Sequence, residues 1–581
     1  MPSGKAIQTG NSARAGGDVQ STWVERAPGL VHALAITALA VPGVCFPQVQ
    51  PDAGRVHEQL RAPLPPAPPS GADIRIEPPA PDKKADTPPF HVAGFRVTDA
   101  TVFAENELLE VLGPAGTQMT LAQVQARADR LTKFYNDRGY AVARALVPAQ
   151  DVHDGVVEIR VLEGRYGNID IRNATEVSES RVRGLLGEVV EDALIHAPSL
   201  ERGVLLVSDL AGIQPRATLE PGATTGASDL VLEIGAGPER EYSATVDNAG
   251  SRFTGKHRLS LGAIWNSPAN LGDRLSGNLV TSGNLLLSLR LAYELPIGYS
   301  GLRGGPYVSR TTYQLGDAFA ALDASGTADA AGASLSYPII RSSIFNLRAI
   351  AGGEQRRLED TIGATATVNE KSASVLHAGL AGDVRDGFLA GAITAFQLQA
   401  TRGKVSLDSP ALAAADAVGA NTQGNYTKFV LTLNRIQGLS EAWRLSASYT
   451  GQWARKNLDS SEKYSLGGLT GVRAYPPGEA SGDDAHLLQL ELRHQGKSMG
   501  QVQFVPFGFF DAAQSRSTHD VFPGFAGKNV RHLAGYGVGC EWSVPGTYFA
   551  RAWLARKAGA EAATADADRT ARFWMQAGVM F

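Results

Sequence analysis

From residue 241 to the C-terminus at 581 the chain alternates apolar and polar side chains with a period of two. Neighbouring side chains on an extended strand point to opposite faces, so each such run has one apolar and one polar face. In Leu287–Leu295, Leu287, Leu289, Leu291, Tyr293 and Leu295 alternate with Ser288, Arg290, Ala292 and Glu294. In Trp443–Trp453 the apolar set is Trp443, Leu445, Ala447 and Tyr449, against Arg444, Ser446, Ser448, Thr450 and Gln452. Phe396/Leu398/Ala400 and Leu488/Leu490/Leu492 repeat the pattern, and Phe573, Met575, Ala577, Val579 and Phe581 carry it to a terminal aromatic. Strands of about ten residues with these two faces suit lipid outside and water inside. Closure is then obligatory, because an open edge in hydrocarbon leaves backbone groups unpaired. At roughly 21 residues per strand and connection the region predicts about 16 strands, an even number as bacterial barrels require. A large soluble β-solenoid or sandwich is the competing reading, and the regular alternation and terminal Phe581 weigh against it.

Composition narrows the class further. Charged residues make up 19% of the chain, below the roughly 25% of an ordinary soluble domain. A net charge of −4 argues against a nucleic-acid binder, which would be basic. Two cysteines, Cys45 and Cys540, exclude a disulfide framework and a Cys-based metal site. Mean hydropathy is −0.11 and a single stretch approaches the apolar length of a membrane helix, which excludes a helical transporter. A barrel with a polar lumen is untouched by that argument.

The apolar stretch is Gly29–Phe46, behind Arg26 and the weakly basic Lys5 and Arg14. It reads as a secretory signal peptide over 1–46, cleaved at about 40–50, with a buried helix as the alternative. Cys45 follows Val44 where a lipobox wants a small residue, so lipidation is not expected. Residues 47–61 predict a short plug-like helix: Asp52 caps it and Val56 and Leu60 lie on one face. Such a helix is too short to stand alone in water, and Arg55, Glu58 and Arg61 suit a polar pore. Ten prolines follow within 61–90, making 62–89 an extended, semi-rigid linker. A disordered leader is the bland alternative.

Two small α+β modules come next, 90–164 and 165–238, each with the order β-α-α-β-β. In the first, Phe90–Val97 is a candidate strand and Leu108–Leu112 a short helix. A second helix starts at Thr120, which has capping-box spacing to Gln123, with Leu121, Val124, Ala128, Leu131 and Tyr135 as its apolar stripe. Gly139 stops it, and strands Tyr140–Val147 and Val156–Glu163 close the unit. The second module repeats the pattern through Gly167–Ile171, Ser180–Leu186, Leu200–Leu210, Pro215–Leu219 and Asp229–Ile234. Tandem units of this size are expected to stack, and an exposed sheet edge can accept an extended chain as an added strand. The barrel occupies 239–581.

Several motifs fail on inspection. Gly250–His257 nearly spells a P-loop, but His257 stands where Ser or Thr must hold Mg²⁺, so a turn between barrel strands is expected. His486 and His494 are eight apart on one strand, too far for a shared metal, and read as lumen polars. No catalytic residue, cofactor site or metal site emerges.

Tyr464–Arg493, YSLGGLTGVRAYPPGEASGDDAHLLQLELR, is the informative stretch. With it, the chain from about 50 to 581 resembles the outer-membrane pores of two-partner secretion, the hemolysin and filamentous-hemagglutinin secretion/activation family. The stretch is similar to that family's long sixth extracellular loop and following strand. Val472, Arg473 and Tyr475 match the family's V-R-G-Y core, with Ala474 in place of Gly. Val505–Gln514, VPFGFFDAAQ, resembles the strand that supplies an inward Asp, here Asp511. Leu200–Ile234 resembles the second polypeptide-transport-associated (POTRA) domain.

The resemblance implies a mainly β fold: a 16-stranded antiparallel transmembrane barrel behind two POTRA-like domains, in a bacterial outer membrane with the N-terminal domains periplasmic. It implies that the loop folds into the lumen and that Arg473 pairs with Asp511. Alternation alone does not fix that geometry, because Asp511 shares parity with Phe507 and Phe509. The implied partner is a large secreted exoprotein, unfolded in transit. Outer-membrane lipids and the barrel-assembly machinery are implied too, with no nucleic acid and no cofactor, in a monomeric pore that is not an enzyme. A barrel-assembly insertase and a passive porin are the alternatives.

Overall fold

A computed structural model describes residues 51–60, 73–76, 87–496, 498 and 500–581. The expected signal peptide, Cys45, Arg61 and most of the Pro-rich linker lie outside these residues. The described chain begins with helix α1 (Ala53–Leu60) and strand β1 (Asp73–Ile76).

The first module contains β2 (Phe90–Val92), β3 (Gly94–Thr98), α2 (Glu105–Leu112), β4 (Thr117–Met119), α3 (Leu121–Asp137), β5 (Arg144–Leu146) and β6 (Val156–Leu162). The capping box forms at α3: the Thr120 hydroxyl accepts from the Gln123 amide and the Gln123 side chain from the Thr120 amide. Val124, Ala128, Leu131 and Tyr135 are its buried face. Gly139, at φ +94°, takes the chain out of the helix in a conformation that suits glycine.

Two sequence expectations need correction here. The single strand over Phe90–Val97 is two strands in different sheets, because the Ala93 amide turns to donate to the Gly155 carbonyl at 2.7 Å. Strand β2 pairs with β4, an element the order β-α-α-β-β omits, and β3 pairs in parallel with β6. The strand over Tyr140–Val147 shrinks to three residues, since the Tyr140 and Ala143 amides are used in turns to Tyr135 and Tyr140.

The second module contains β7 (Arg165–Asn173), α4 (Glu179–Leu186), α5 (Ala197–Ser208), β8 (Ile213–Pro221) and β9 (Ala227–Ala236). Its sheet order is β1-β8-β9-β7. The linker is therefore not simply an extended spacer. Its Pro-free stretch pairs in parallel with the edge strand β8, from Asp73 opposite Arg216 to Ile76 opposite Leu219. Ile74 packs against the module's core.

Glu163 ties the first module together at its junction with the second. It accepts from the amides of Thr101 (2.7 Å) and Val102 (2.8 Å), from the Thr101 hydroxyl and from Tyr135 Oη at 3.0 Å. Burial works to raise this carboxyl, but those hydrogen bonds outweigh it and hold the group below the usual carboxylate range. Burial first, and then the Glu163 charge, push the Tyr135 hydroxyl up.

The barrel strands follow as β10 (Arg240–Asp247), β11 (Arg258–Asn266), β12 (Arg274–Thr281), β13 (Leu286–Ile297), β14 (Leu302–Gln314), β15 (Ala324–Arg341), β16 (Phe345–Ile362) and β17 (Thr367–Asp386). The second half is β18 (Ala392–Leu407), β19 (Gly424–Gly438), β20 (Trp443–Ala454), β21 (Asp484–His494), β22 (Gln503–Arg516), β23 (Val530–Val544), β24 (Tyr548–Lys557) and β25 (Ala571–Met580). All sixteen are antiparallel to their neighbours in sequence, and β25 returns to β10. At that seam Tyr242 and Phe581 exchange backbone hydrogen bonds of 2.8 and 3.0 Å and stack their rings. The terminal aromatic thus locks closure, leaving no edge.

Outward positions carry the exposed apolar side chains, Leu287, Leu289 and Leu291 among them. His486 and His494 sit on this outer face and not in the lumen. On β21 they share parity with the exposed Leu488 and Leu492, and their rings pack on Trp453 and Trp443. Aromatic and amphipathic rings belong in such interfacial belts. Cys540 is a free thiol with the outward parity of Val538 and Trp542 on β23. Gly250–His257 is the connection between β10 and β11, as expected of a turn.

The second module docks on one end of the barrel. Asp209, just after α5, receives both Nε (3.0 Å) and Nη2 (2.7 Å) of Arg341, and its carbonyl accepts from Arg303 Nη1 at 2.8 Å. The Ser343 amide donates to Glu201 at 3.0 Å, and the Ala211 amide to the Gly272 carbonyl at 3.1 Å. Short connections cluster at this end; the long ones, including 455–483, are at the other.

Candidate functional site: an inward loop and a plug helix

Residues 455–483 join β20 to β21 and fold back into the lumen. A bridge between Tyr464 and Gly482 draws its two arms together, and one between Gly467 and Val472 closes a tighter turn inside it. Val472, Ala474 and Tyr475 are fully buried in a cluster with Phe507, Phe509, Leu533, Trp553 and Trp574 from the barrel wall. Tyr475 Oη donates to the Glu561 carbonyl at 3.0 Å.

Arg473 is brought against Asp511. Its Nε and Nη2 donate to the two carboxylate oxygens at 2.9 and 2.7 Å, and its own amide donates to the first at 3.0 Å. This two-point geometry is what a planar guanidinium offers and an ammonium does not. On β22 the residues Phe507, Phe509, Asp511, Ala513 and Ser515 are buried and Phe504 and Phe510 exposed, so the aromatic parity is the lumen's. The Arg473 guanidinium lies 3.7 Å from the Phe509 ring centroid, using that ring as a cation–π floor.

A third group was missed from sequence. Arg473 Nη1 donates to Glu491 Oε2 at 2.6 Å, and Arg493 holds the other oxygen at 2.7 Å. Glu491 had a signal: it shares lumen parity on β21 with Gln489 and Arg493. Trp574 Nε1 also donates to the Arg473 carbonyl at 2.7 Å, which spacing along the chain could not reveal.

Ala474, where the resemblance leads one to expect Gly, avoids left-handed backbone, since it is absent from the residues with positive φ. Its methyl is accommodated by Gly535 on β23: a Cβ at 535 would lie 2.5 Å from that of Ala474. The Ala474 methyl thus has room because its neighbour across the interface is a glycine. Glu479, further along the loop, is fully buried and accepts from Arg531, from the Thr564 amide (2.8 Å) and from the Ala565 amide (2.9 Å).

Helix α1 shares the lumen with this loop. Asp52 accepts from the Arg55 amide at 3.0 Å, capping the helix, and from Ser460 of the loop at 2.9 Å. The Ala53 amide donates to Asp360 on β16 at 2.8 Å. Ala53 and Val56 pack with Phe253, Leu286, Tyr313, Ala328 and Leu358 of the wall. Gly54 is required by close approach, because a Cβ there would stand 2.7 Å from that of Ser461. Around this contact the loop is fixed to the wall by Asp459–Lys371 (3.2 Å) and Glu462–Lys428 (2.9 Å), both buried.

The description "Haemolysin secretion/activation protein ShlB/FhaC/HecB" matches residues 226–542, more than half of the chain. The chain belongs to this family. Residues 90–164 match the ShlB-type POTRA domain. Among relatives, the heme/hemopexin transporter protein HuxB of Haemophilus influenzae is 28% identical over 450 residues, 76% of this chain and 79% of HuxB. The outer membrane transporter CdiB of Escherichia coli is 26% identical over 447 residues, 71% of each chain. The solved structure of CdiB from Escherichia coli superposes with a TM-score of 0.70 over 86% of this chain and 93% of that one, at 19% identity, and shows the same fold. The family member described here is thus a two-partner secretion transporter of the outer membrane, with its POTRA modules in the periplasm.

Proposed function

We propose that the protein captures a large, unfolded exoprotein of the hemolysin or hemagglutinin type in the periplasm and threads it outward through the barrel, with no enzymatic step and no nucleotide hydrolysis. The observation that carries this reading is the occupied lumen: α1 and the loop around Arg473 are both held inside it by polar contacts, and α1 precedes the linker strand docked on the second module. A passive porin has no use for periplasmic modules. Capture through backbone pairing at a sheet edge is nearly blind to sequence, which suits an unfolded client. Withdrawal of α1 then opens the path, and folding of the client outside the cell draws it through.

Deleting 90–164 is expected to abolish export of the partner while leaving a heat-modifiable barrel in the outer membrane. Export at the wild-type level from that variant overturns the capture role.

A further inference from the structure

The outer wall of the barrel carries a charge pattern that transport does not require. On β18 the even residues Leu398, Ala400, Arg402 and Lys404 are exposed outward, while Thr401, Val405 and Leu407 are buried inside. Toward the loop end, Ala400, Phe429 and Trp453 lie in register across β18, β19 and β20, the two rings marking the upper aromatic belt. One row nearer the loops Arg402 stands opposite Thr427. Arg455 donates its amide to the Thr427 carbonyl at 3.1 Å and places its guanidinium 5.8 Å from the Phe429 ring. Lys404 is one row higher, opposite Ser374 and Asn425.

Among the described residues neither Arg402 nor Lys404 has a carboxylate partner, whereas the outward Asp329 has Arg310 at 3.7 Å. Beside these cations the wall dips. Ala331, Gly353 and Ser374 supply only small side chains, with Gln355, which accepts from the Ser374 hydroxyl at 2.8 Å, and Asn425 at its sides, leaving a depression of about 450 Å³. Leu376, 68% exposed, forms its lower lip on the side of the apolar belt.

Two unpaired cations stand immediately above an aromatic belt, over a dip with an apolar lower lip. Snorkelling lysines and arginines need only the first of these features. We propose that this groove binds a phosphorylated glycolipid of the outer leaflet. Its phosphates meet Arg402 and Lys404, its sugars fill the dip over Gly353 and Ser374, and an acyl chain descends along Leu376. The cations are at headgroup height and face lipid, so a membrane-anchored phosphate reaches them without leaving the bilayer.

The full-length protein in detergent, titrated with diphosphoryl lipid A and read by native mass spectrometry, tests this. The double variant R402Q/K404Q is expected to bind about thirtyfold more weakly, since two surface cations, each worth on the order of 1 kcal/mol toward anionic lipid, amount to about 2 kcal/mol. Dephosphorylated lipid A should lose affinity for the wild type by a similar factor. R556Q removes an exposed arginine on β24, six strands away in the closed order, and should bind as wild type. All three variant sites face outward, so heat-modifiability reports whether the barrel is intact. Wild-type affinity in R402Q/K404Q overturns the proposal, as does an equal loss in R556Q. Displacement of lipid A by millimolar inorganic phosphate also overturns it, because the groove would then be a site for free anions.

Discussion

Arg473 has one amide and three guanidinium contacts spread over two carboxylates, Asp511 and Glu491, so the members of the site are not equivalent. Removing Arg473 leaves the fully buried Asp511 without a cation, while Glu491 keeps Arg493. Removing Asp511 leaves the arginine with Glu491. Breaking a buried pair costs about 3–5 kcal/mol when the survivor stays uncompensated. Arg473→Ala is therefore expected to cut export more deeply than Asp511→Ala, with both barrels still inserted, and Arg473→Lys to rescue only in part. Exchanging the two charges should restore export only when Glu491 is also made Gln, because an acid at 473 would face Glu491. Export assays on these five variants check the order; equal defects from the two alanine variants would contradict it. Glu163 has a different dependence on pH. Its folded carboxyl is held below its ordinary value of about 4.3, so its contribution is complete above that pH and lost as pH falls through the folded value. Hydrogen exchange of the full chain should show the contacts between 100–102 and α3 loosening on acidification, and Glu163→Gln should loosen them at pH 7 and flatten the response.

At the scale of elements, α1 is a plug with a defined weak point. Gly54 allows the helix to lie against Ser461, and any side chain there meets the loop backbone as well as its Cβ. Gly54→Val is expected to unseat the helix and raise conductance in planar bilayers, toward the level reached by deleting 46–61; unchanged conductance in both would argue against a plug. The helix was legible in the sequence because Asp52, Val56 and Leu60 give a cap and a face. The barrel was legible because one face of each strand must be apolar. Strand β1 was not, since four residues between proline clusters carry too little pattern and gain their partner, β8, from far along the chain. The inward Asp511 was not legible from alternation either: Phe507 and Phe509 imitate a lipid face while packing on Gly539 and Gly537 inside. His486 and His494 misled in the opposite sense, as polar rings that serve an outer belt.

Across the whole molecule, the Asp209–Arg341 pair is the buried ion pair among the contacts that hold the second module at the pore mouth. Arg341 is almost fully buried there and also receives support from Asn346 at 3.0 Å. Asp209→Asn is expected to widen the distance distribution between spin labels on the second module and on the barrel rim, and to slow export without changing the melting of the barrel itself. An unchanged distribution would show that the other rim contacts suffice. The barrel also differs in height around its circumference. Strands β10 to β12 have eight or nine residues, while β15 to β18 have sixteen to twenty. At about 3.4 Å per residue and a tilt near 40°, that difference amounts to roughly 25 Å of extra wall. A partner chain emerging from such a pore is expected to be screened on one flank and free on the other, and so to leave the cell surface on the side away from the parapet.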